Sequence, residues 1–147
     1  MNLTHALLGE HGVFASLFDH LEQLARSGAT VATLQTALAA PARALVEHAR
    51  MEENLLFPAI EQAMGSIPPL HVMKLEHSEI ERQLEVLERH TDPAVLAREI
   101  LGMLEFTKAH FAKEEHVLFP MAEQCVGSSK LGTLTSQWSK QRAVHCE

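Results

Sequence analysis

Tyrosine is absent, tryptophan occurs once and cysteine only twice in this chain of 147 residues. Without a tyrosine the chain cannot carry a tyrosyl radical, which excludes a radical enzyme of the ribonucleotide reductase kind. Cys125 and Cys146 form neither a Cys-x-x-Cys pair nor a disulfide framework, in keeping with a reducing compartment. Cys125 is expected to be a buried, inert thiol, and Cys146 an exposed cysteine near the end of the chain. The 7 glycines and 6 prolines are too few for a collagen-like or low-complexity chain. No uninterrupted apolar stretch is longer than Leu55–Ile60, far short of the roughly 20 residues a membrane helix needs. The N-terminus, Met1-Asn2-Leu3-Thr4-His5, has no basic region leading into an apolar one, so no secretory signal is read and a cytoplasmic location is expected. Positive charge is also scarce. Twelve Lys and Arg against 19 Asp and Glu leave a formal net charge of −7, which argues against nucleic acid and anionic membranes as partners. Gly-x-Ser-x-Gly, P-loop, Gly-x-Gly-x-x-Gly and His-Glu-x-x-His patterns are missing, removing the usual hydrolase, nucleotide and zinc-protease readings.

What the chain does have is histidine, ten of them, at positions 5, 11, 20, 48, 71, 77, 90, 110, 116 and 145. It also has helical periodicity throughout. Apolar residues recur at three-four spacing in four blocks, separated by breaks near Gly28, Gly65–Pro69, Thr91–Pro93 and Gly127–Ser129, and no block alternates as a strand would. The first helix is predicted from Asn2 or Thr4 to Arg26, and the second between about Thr30 and Met64. Pro41 predicts a break inside that span, with the ligand-bearing part starting near it. The third is predicted from about Pro69 to His90, and the fourth from the Asp92-Pro93 cap to about Cys125. Leu131, Leu134 and Trp138 suggest one short helix in the tail. The fold class expected is all-α, an antiparallel up-and-down four-helix bundle over residues 1–127 with an extension at 128–147.

The bundle is internally repeated. Aligning residues 48–65 with 110–127 gives nine identities in eighteen positions, including His48/His110, Glu52/Glu114, Glu53/Glu115, Leu56/Leu118, Phe57/Phe119 and Pro58/Pro120. Glu10-His11 similarly echoes Glu76-His77, so one helical hairpin is used twice. Pro58 and Pro120, each six residues past a glutamate, are expected to kink or locally break their helices.

On the apolar stripes that should face the bundle axis, the polar interruptions apart from Thr107 are His11, His48, Glu52, His77, His110 and Glu114. The fourth stripe is read as Leu96, Ile100, Met103, Thr107, His110, Glu114, Val117, Met121 and Cys125. A lone histidine on such a face is usually just a hydrogen-bonded core residue. Here each helix supplies one, and two of them carry a glutamate at i+4 on the same face. Burying two facing carboxylates costs several kcal/mol each unless cations compensate, and no Lys or Arg lies on these stripes at that level. A pair of divalent cations would supply the missing charge. Imidazole with carboxylate and no thiolate suits iron, manganese or zinc; four nitrogens and two carboxylates exceed one tetrahedral zinc and fit two ions, with the glutamates between them. Ferritin-like Glu-x-x-His spacing does not occur. Phe14 and Phe111 fall near the same level and could exclude water, whereas His71 and His116 read as surface residues.

His11, His77 and the doubled His-x-x-x-Glu-Glu-x-x-Leu-Phe-Pro element at 48–58 and 110–120 together resemble the hemerythrin-like family, the HHE cation-binding domain, over residues 3–126. The resemblance implies two iron ions in an oxo- or hydroxo-bridged non-haem centre. His11 and His48 would hold one ion, His77 and His110 the other, with Glu52 and Glu114 bridging them. Oxygen carriers of the family have a further histidine where this chain has Met73, and place the last bridging carboxylate at five residues from the histidine rather than four, which leaves Glu115 as a second choice. Glu81, one turn after His77, is a further candidate ligand. In these departures the chain is more similar to the branch concerned with iron-centre repair, nitric oxide handling and peroxide or iron sensing. The expected function is binding or reduction of a small ligand such as O2, NO or peroxide at an open iron position. Such a centre could have peroxidase-like or NO/O2-reducing activity. Iron storage, donation or sensing is the alternative, and a metal-free interaction bundle stands third.

Overall fold

The computed structural model describes residues 1–144; His145 and Cys146 lie outside the described residues. The described residues form seven α-helices: α1 (Leu3–Arg26), α2 (Val31–Met51), α3 (Phe57–Met64), α4 (Pro68–Leu87), α5 (Pro93–Lys113), α6 (Phe119–Cys125) and α7 (Ser128–Arg142). α2 and α3 form one rod, joined through the π-helical segment Glu52–Leu56, and α5 and α6 a second, joined through Glu114–Leu118. With α1 and α4 these rods make the expected all-α four-helix bundle, α1 packing on α2 and α5, and α4 on α5 and α2.

Local chemistry sets the helix ends. Asn2 caps α1 by accepting from the His5 amide at 3.1 Å, and Thr30 caps α2 through the Thr33 amide. Asp92 accepts from the amides of both Ala94 and Val95 ahead of α5, with Pro93 in the first turn, where its missing N–H costs nothing. Gly28 at φ +75°, just past the end of α1, takes the left-handed conformation that reverses the chain there.

Two expectations are corrected. Pro41 does not interrupt α2, which runs unbroken from Val31 to Met51. Its ring lies in the buried row Leu34, Leu38, Pro41, Leu45 and His48, so apolar packing on that face compensates for the lost backbone hydrogen bond. The second correction concerns the fourth stripe. Val117 is 50% exposed and Met121 and Cys125 are only partly buried, while Leu118, Phe119 and Ala122 face the core. The cause is the π segment, which fits one extra residue into the turn and shifts the buried row by one position.

Both π segments begin at a buried glutamate and end two residues before a proline. The Phe57 amide bonds back to the Glu52 carbonyl, and that of Phe119 to Glu114. In an α-helix the rings of Pro58 and Pro120 would strike the carbonyls of Asn54 and His116, four residues back; the wider turn removes that clash. Where a kink or local break was expected near each proline, the helix instead passes through a π turn and continues.

Two apolar clusters fill the bundle. One, near Leu21, Leu38, Leu84 and Ile100, belongs to the α1–α2 and α4–α5 turn end. The other gathers Leu7, Leu56, Ile60, Met73 and Phe119, and α7 joins it through Leu131, Leu134 and the partly buried Trp138. No described helix is long and apolar enough to cross a membrane.

Candidate metal centre

Nine polar or charged side chains are buried among the described residues: Thr4, Thr107, Thr135, and the six histidines and glutamates His11, His48, Glu52, His77, His110 and Glu114. The threonine hydroxyls are satisfied. Thr4 donates to Glu123, Thr107 to the Met103 carbonyl and Thr135 to the Leu131 carbonyl. Among the six, both oxygens of Glu52 and of Glu114 and the Nε2 of His77 have no partner, and the fold brings all six residues to one level between the two apolar clusters.

They fall into two overlapping groups. In one, ligand-type atoms of His11, His48, Glu52 and Glu114 lie within 4.8 Å of one another; in the other, those of Glu52, His77, His110 and Glu114 do. The glutamates are common to both groups and each histidine pair belongs to one. Glu114 has Oε1 2.9 Å from His110 Nε2 and 3.6 Å from His77 Nε2, with Oε2 3.2 Å from His11 Nε2. Glu52 has Oε2 3.2 Å from His77 Nε2 and Oε1 3.5 Å from His48 Nε2. These are close approaches without hydrogen-bond alignment, so both carboxylate oxygens of each glutamate, and His77 Nε2, are buried with no partner. His11 Nε2 and His48 Nε2 face each other at 3.1 Å. Four imidazole nitrogens and four carboxylate oxygens thus converge, the carboxylate oxygens and His77 Nε2 without a partner, a donor set that fits two cations of the nitrogen- and oxygen-seeking kind.

Each ring is aimed from outside. His11 Nδ1 lies 2.8 Å from Glu115, His48 Nδ1 2.6 Å from Glu10, His77 Nδ1 2.8 Å from Glu53, and His110 Nδ1 2.8 Å from Glu76. A carboxylate accepting the Nδ1–H fixes the tautomer that leaves the Nε2 lone pair pointing inward. This outer set was only partly anticipated. Glu115 appears as an orienting group and not in either inner group, and Glu81 likewise belongs to neither. Glu10, Glu53 and Glu76 were missed, although the doublets Glu10-His11, Glu52-Glu53, Glu76-His77 and Glu114-Glu115 signal them. When one member of a doublet faces the axis, the next lies about 100° round the helix, on the flank toward the adjoining helix.

The carboxylates dominate the electrostatics. Burial alone would push the His48 imidazolium toward deprotonation, but the charge of nearby Glu52 and the hydrogen bond to Glu10 lift its pKa to about 10. His77 behaves alike: burial opposes the charge, Glu114 and Glu52 override it, and the pKa again reaches about 10. For Glu114 burial favours the neutral acid, yet the close imidazoles of His11, His110 and His77 hold it well below the usual carboxylate range. Without a metal, the raised pKa values of His48 and His77 favour protons on those two rings beside the buried carboxylates. Cations would replace those protons directly.

Aromatic rings close the centre. Phe111 stacks on His11 with centroids 3.8 Å apart and Phe57 on His77 at 5.4 Å, while Phe14 meets His48 edge-on at 5.5 Å. Between α2 and α4 a pocket of about 110 Å³ reaches the histidines, lined in part by Leu45, His48, Glu53, His77, Ile80 and His110. That is well below the roughly 300 Å³ at which pockets for drug-sized ligands begin.

Among known proteins, the profile of the hemerythrin HHE cation-binding domain matches residues 2–122 and again 68–145, the second match starting at α4 as the internal repeat would lead one to expect. The iron-sulfur cluster repair protein YtfE of Enterobacter sp. (strain 638) is 35% identical over 91 residues, covering 53% of this chain and 41% of that protein. The proteins of the same name from Citrobacter koseri and Escherichia fergusonii are 34% identical over the same length, with the same coverage. The chain thus spans well under half the length of these curated relatives. No solved structure matches it. A family match over most of the chain, on a bundle with four histidines and two glutamates buried at one level, shows that the chain belongs to the hemerythrin HHE cation-binding domain family.

Proposed function

We propose that the chain holds two iron ions, one on His11 and His48 and the other on His77 and His110, with Glu52 and Glu114 shared between them, and that it binds or reduces a small ligand such as O2, NO or peroxide. The observation that carries this reading is the convergence of fully buried, unpartnered carboxylate oxygens with four imidazoles at one level of the core. Left without cations, each buried carboxylate would cost several kcal/mol.

Bound iron would supply the redox and ligand-binding chemistry; the chain's own part is to shape the place where it happens. The outer carboxylates hold the imidazoles in register. Phe14, Phe57 and Phe111 keep bulk water from the rings, and the narrow pocket beside Leu45 and Ile80 limits access to molecules of a few atoms. Glu53, at the pocket wall and hydrogen-bonded to His77, is placed to pass a proton between solvent and that ring.

A second reading, iron donation or sensing in the service of cluster repair, is favoured by the name of the matched relatives. The test is iron per chain after anaerobic Fe(II) loading and desalting, followed by exposure to O2, NO and peroxide under an optical spectrometer. About two irons per chain, retained through reaction with one of these ligands, supports the first reading. Ready transfer of iron to an acceptor supports the second. Near-zero iron refutes both.

A further inference from the structure

The internal twofold makes the two metal positions equivalent in their inner groups, but α7 makes them unequal outside. Glu10, which orients His48, receives three further N–H bonds from α7. Trp138 Nε1 donates to Oε1 at 2.8 Å, Arg142 Nε to Oε1 at 2.7 Å and Arg142 Nη2 to Oε2 at 3.1 Å. Arg142 also reaches Glu47 of α2 at 3.6 Å, tying α1 and α2 together over the same ring. The repeat counterpart of Glu10 is Glu76, which orients His110 and, among the described residues, is held only by the half-exposed ammonium of Lys113. Glu53 and Glu115 have no Lys or Arg within ion-pair distance among the described residues, and both are over a third exposed. Of the four orienting carboxylates, Glu10 alone is locked by a planar guanidinium and an indole. That fork geometry costs less side-chain freedom per bond than an ammonium does.

We propose that α7 is a clasp over the His11/His48 position, with Trp138 and Arg142 as positioning residues, so that the ion held there leaves more slowly than the ion held by His77 and His110. The inference rests on the two-ion reading above and specifies it further: one retained ion and one exchangeable ion in the same centre. Outer partners of a metal-bound histidine change metal affinity by roughly 10–100-fold when removed, so losing one of the two anchors should be visible in release kinetics. α7 can act in this way because it is fixed independently of Glu10, through Leu131 and Leu134 in the apolar cluster. Trp138→Phe therefore deletes the indole N–H while keeping a ring on the same surface.

The experiment loads the full chain with Fe(II) anaerobically, counts iron, and follows its release to excess colorimetric ferrous chelator. The unaltered chain is expected to release one iron per chain quickly and the second at least about tenfold more slowly. Arg142→Ala and Trp138→Phe should each accelerate the slow phase, by about tenfold for Arg142→Ala, and leave the fast phase alone. Arg142→Lys should restore part of the delay, because an ammonium keeps the charge but not the fork. Lys113→Ala should accelerate only the fast phase. If the α7 variants instead speed both phases equally, in step with a lower melting temperature of the metal-free chain, α7 is merely structural and the clasp is overturned. Two ions with release insensitive to the α7 variants overturn the clasp alone, whereas loading short of two ions overturns the two-ion reading and the clasp with it.

Discussion

Replacing Glu114 by Gln keeps the volume of the side chain and removes its charge from the point where both groups meet. Glu114 is fully buried, with oxygens 2.9 Å from His110, 3.2 Å from His11 and 3.6 Å from His77, so no other side chain can take over its contacts. A ligand that binds only the folded chain stabilises it by about 2.7 kcal/mol at a hundred times its dissociation constant, so two such ions contribute roughly 5 kcal/mol. For a domain of this size about 1 kcal/mol moves the melting temperature by about 2–4 °C, which makes the expected rise on loading roughly 10–20 °C. In Glu114→Gln the shared oxygen donor pair is broken for both ions, and the rise should shrink to a few degrees while iron falls below one per chain. The assay is calorimetric melting with and without anaerobic Fe(II), alongside an iron count on the desalted protein. If the unaltered chain gains no stability on saturation, or Glu114→Gln keeps the full gain and two irons, the reasoning from unpartnered buried carboxylates is wrong.

Two further outcomes follow from the same geometry. In the metal-free chain His48 and His77 have folded-state pKa values of about 10 against an ordinary 6.5, so the stability their protons contribute is fully present below pH 6.5 and is lost as pH rises toward 10. Urea midpoints of metal-free protein should decline steadily over that range, and a flat profile would show that the rings do not carry those protons. Glu10, held at about 2, acts in the opposite sense: its contribution is present above 4.5 and fades as pH falls through 2. Separately, Ile80→Trp should fill the pocket beside the centre, slowing reaction with O2, NO or peroxide without lowering iron per chain; unchanged rates would place the entrance elsewhere.

The elements that repeat were the legible ones. His11, His48, His77, His110, Glu52 and Glu114 could be placed on one level because helical spacing puts them on stripes, and because Glu52 and Glu114 have no cation on those stripes to balance them. Val117 was misplaced since a stripe read at constant pitch assumes an unbroken α-helix, and the extra residue in the π turn is invisible to periodicity. The repeat hid this as well. Leu55, the counterpart of Val117, is buried in the cluster that α7 joins, while Val117 has no such cover. Pro41 was read as a break because proline's local cost is known from sequence and the packing that offsets it is not. The outer carboxylates and the Trp138–Arg142 contact with Glu10 depend on which helix flanks which, and that is fixed only by assembly of the bundle.

Whether proline or packing maintains the π turn can be decided by magnitudes, using Pro120→Ala. The substitution restores an N–H and makes an ordinary α-helical turn possible, and proline costs about 3 kcal/mol relative to alanine inside such a helix. Rewinding to an α-helix, however, would rotate everything beyond Glu114 by about 100°. Leu118 and Phe119 would then leave the core, at about 1.5–3 kcal/mol each, with Ala122 adding to the loss. Packing therefore outweighs the local gain, and the π turn should persist in Pro120→Ala. Iron per chain should be unchanged. Loss of iron would show the opposite. In that case the proline itself holds Glu114 inward, and the metal level of the bundle rests on a single residue six positions away.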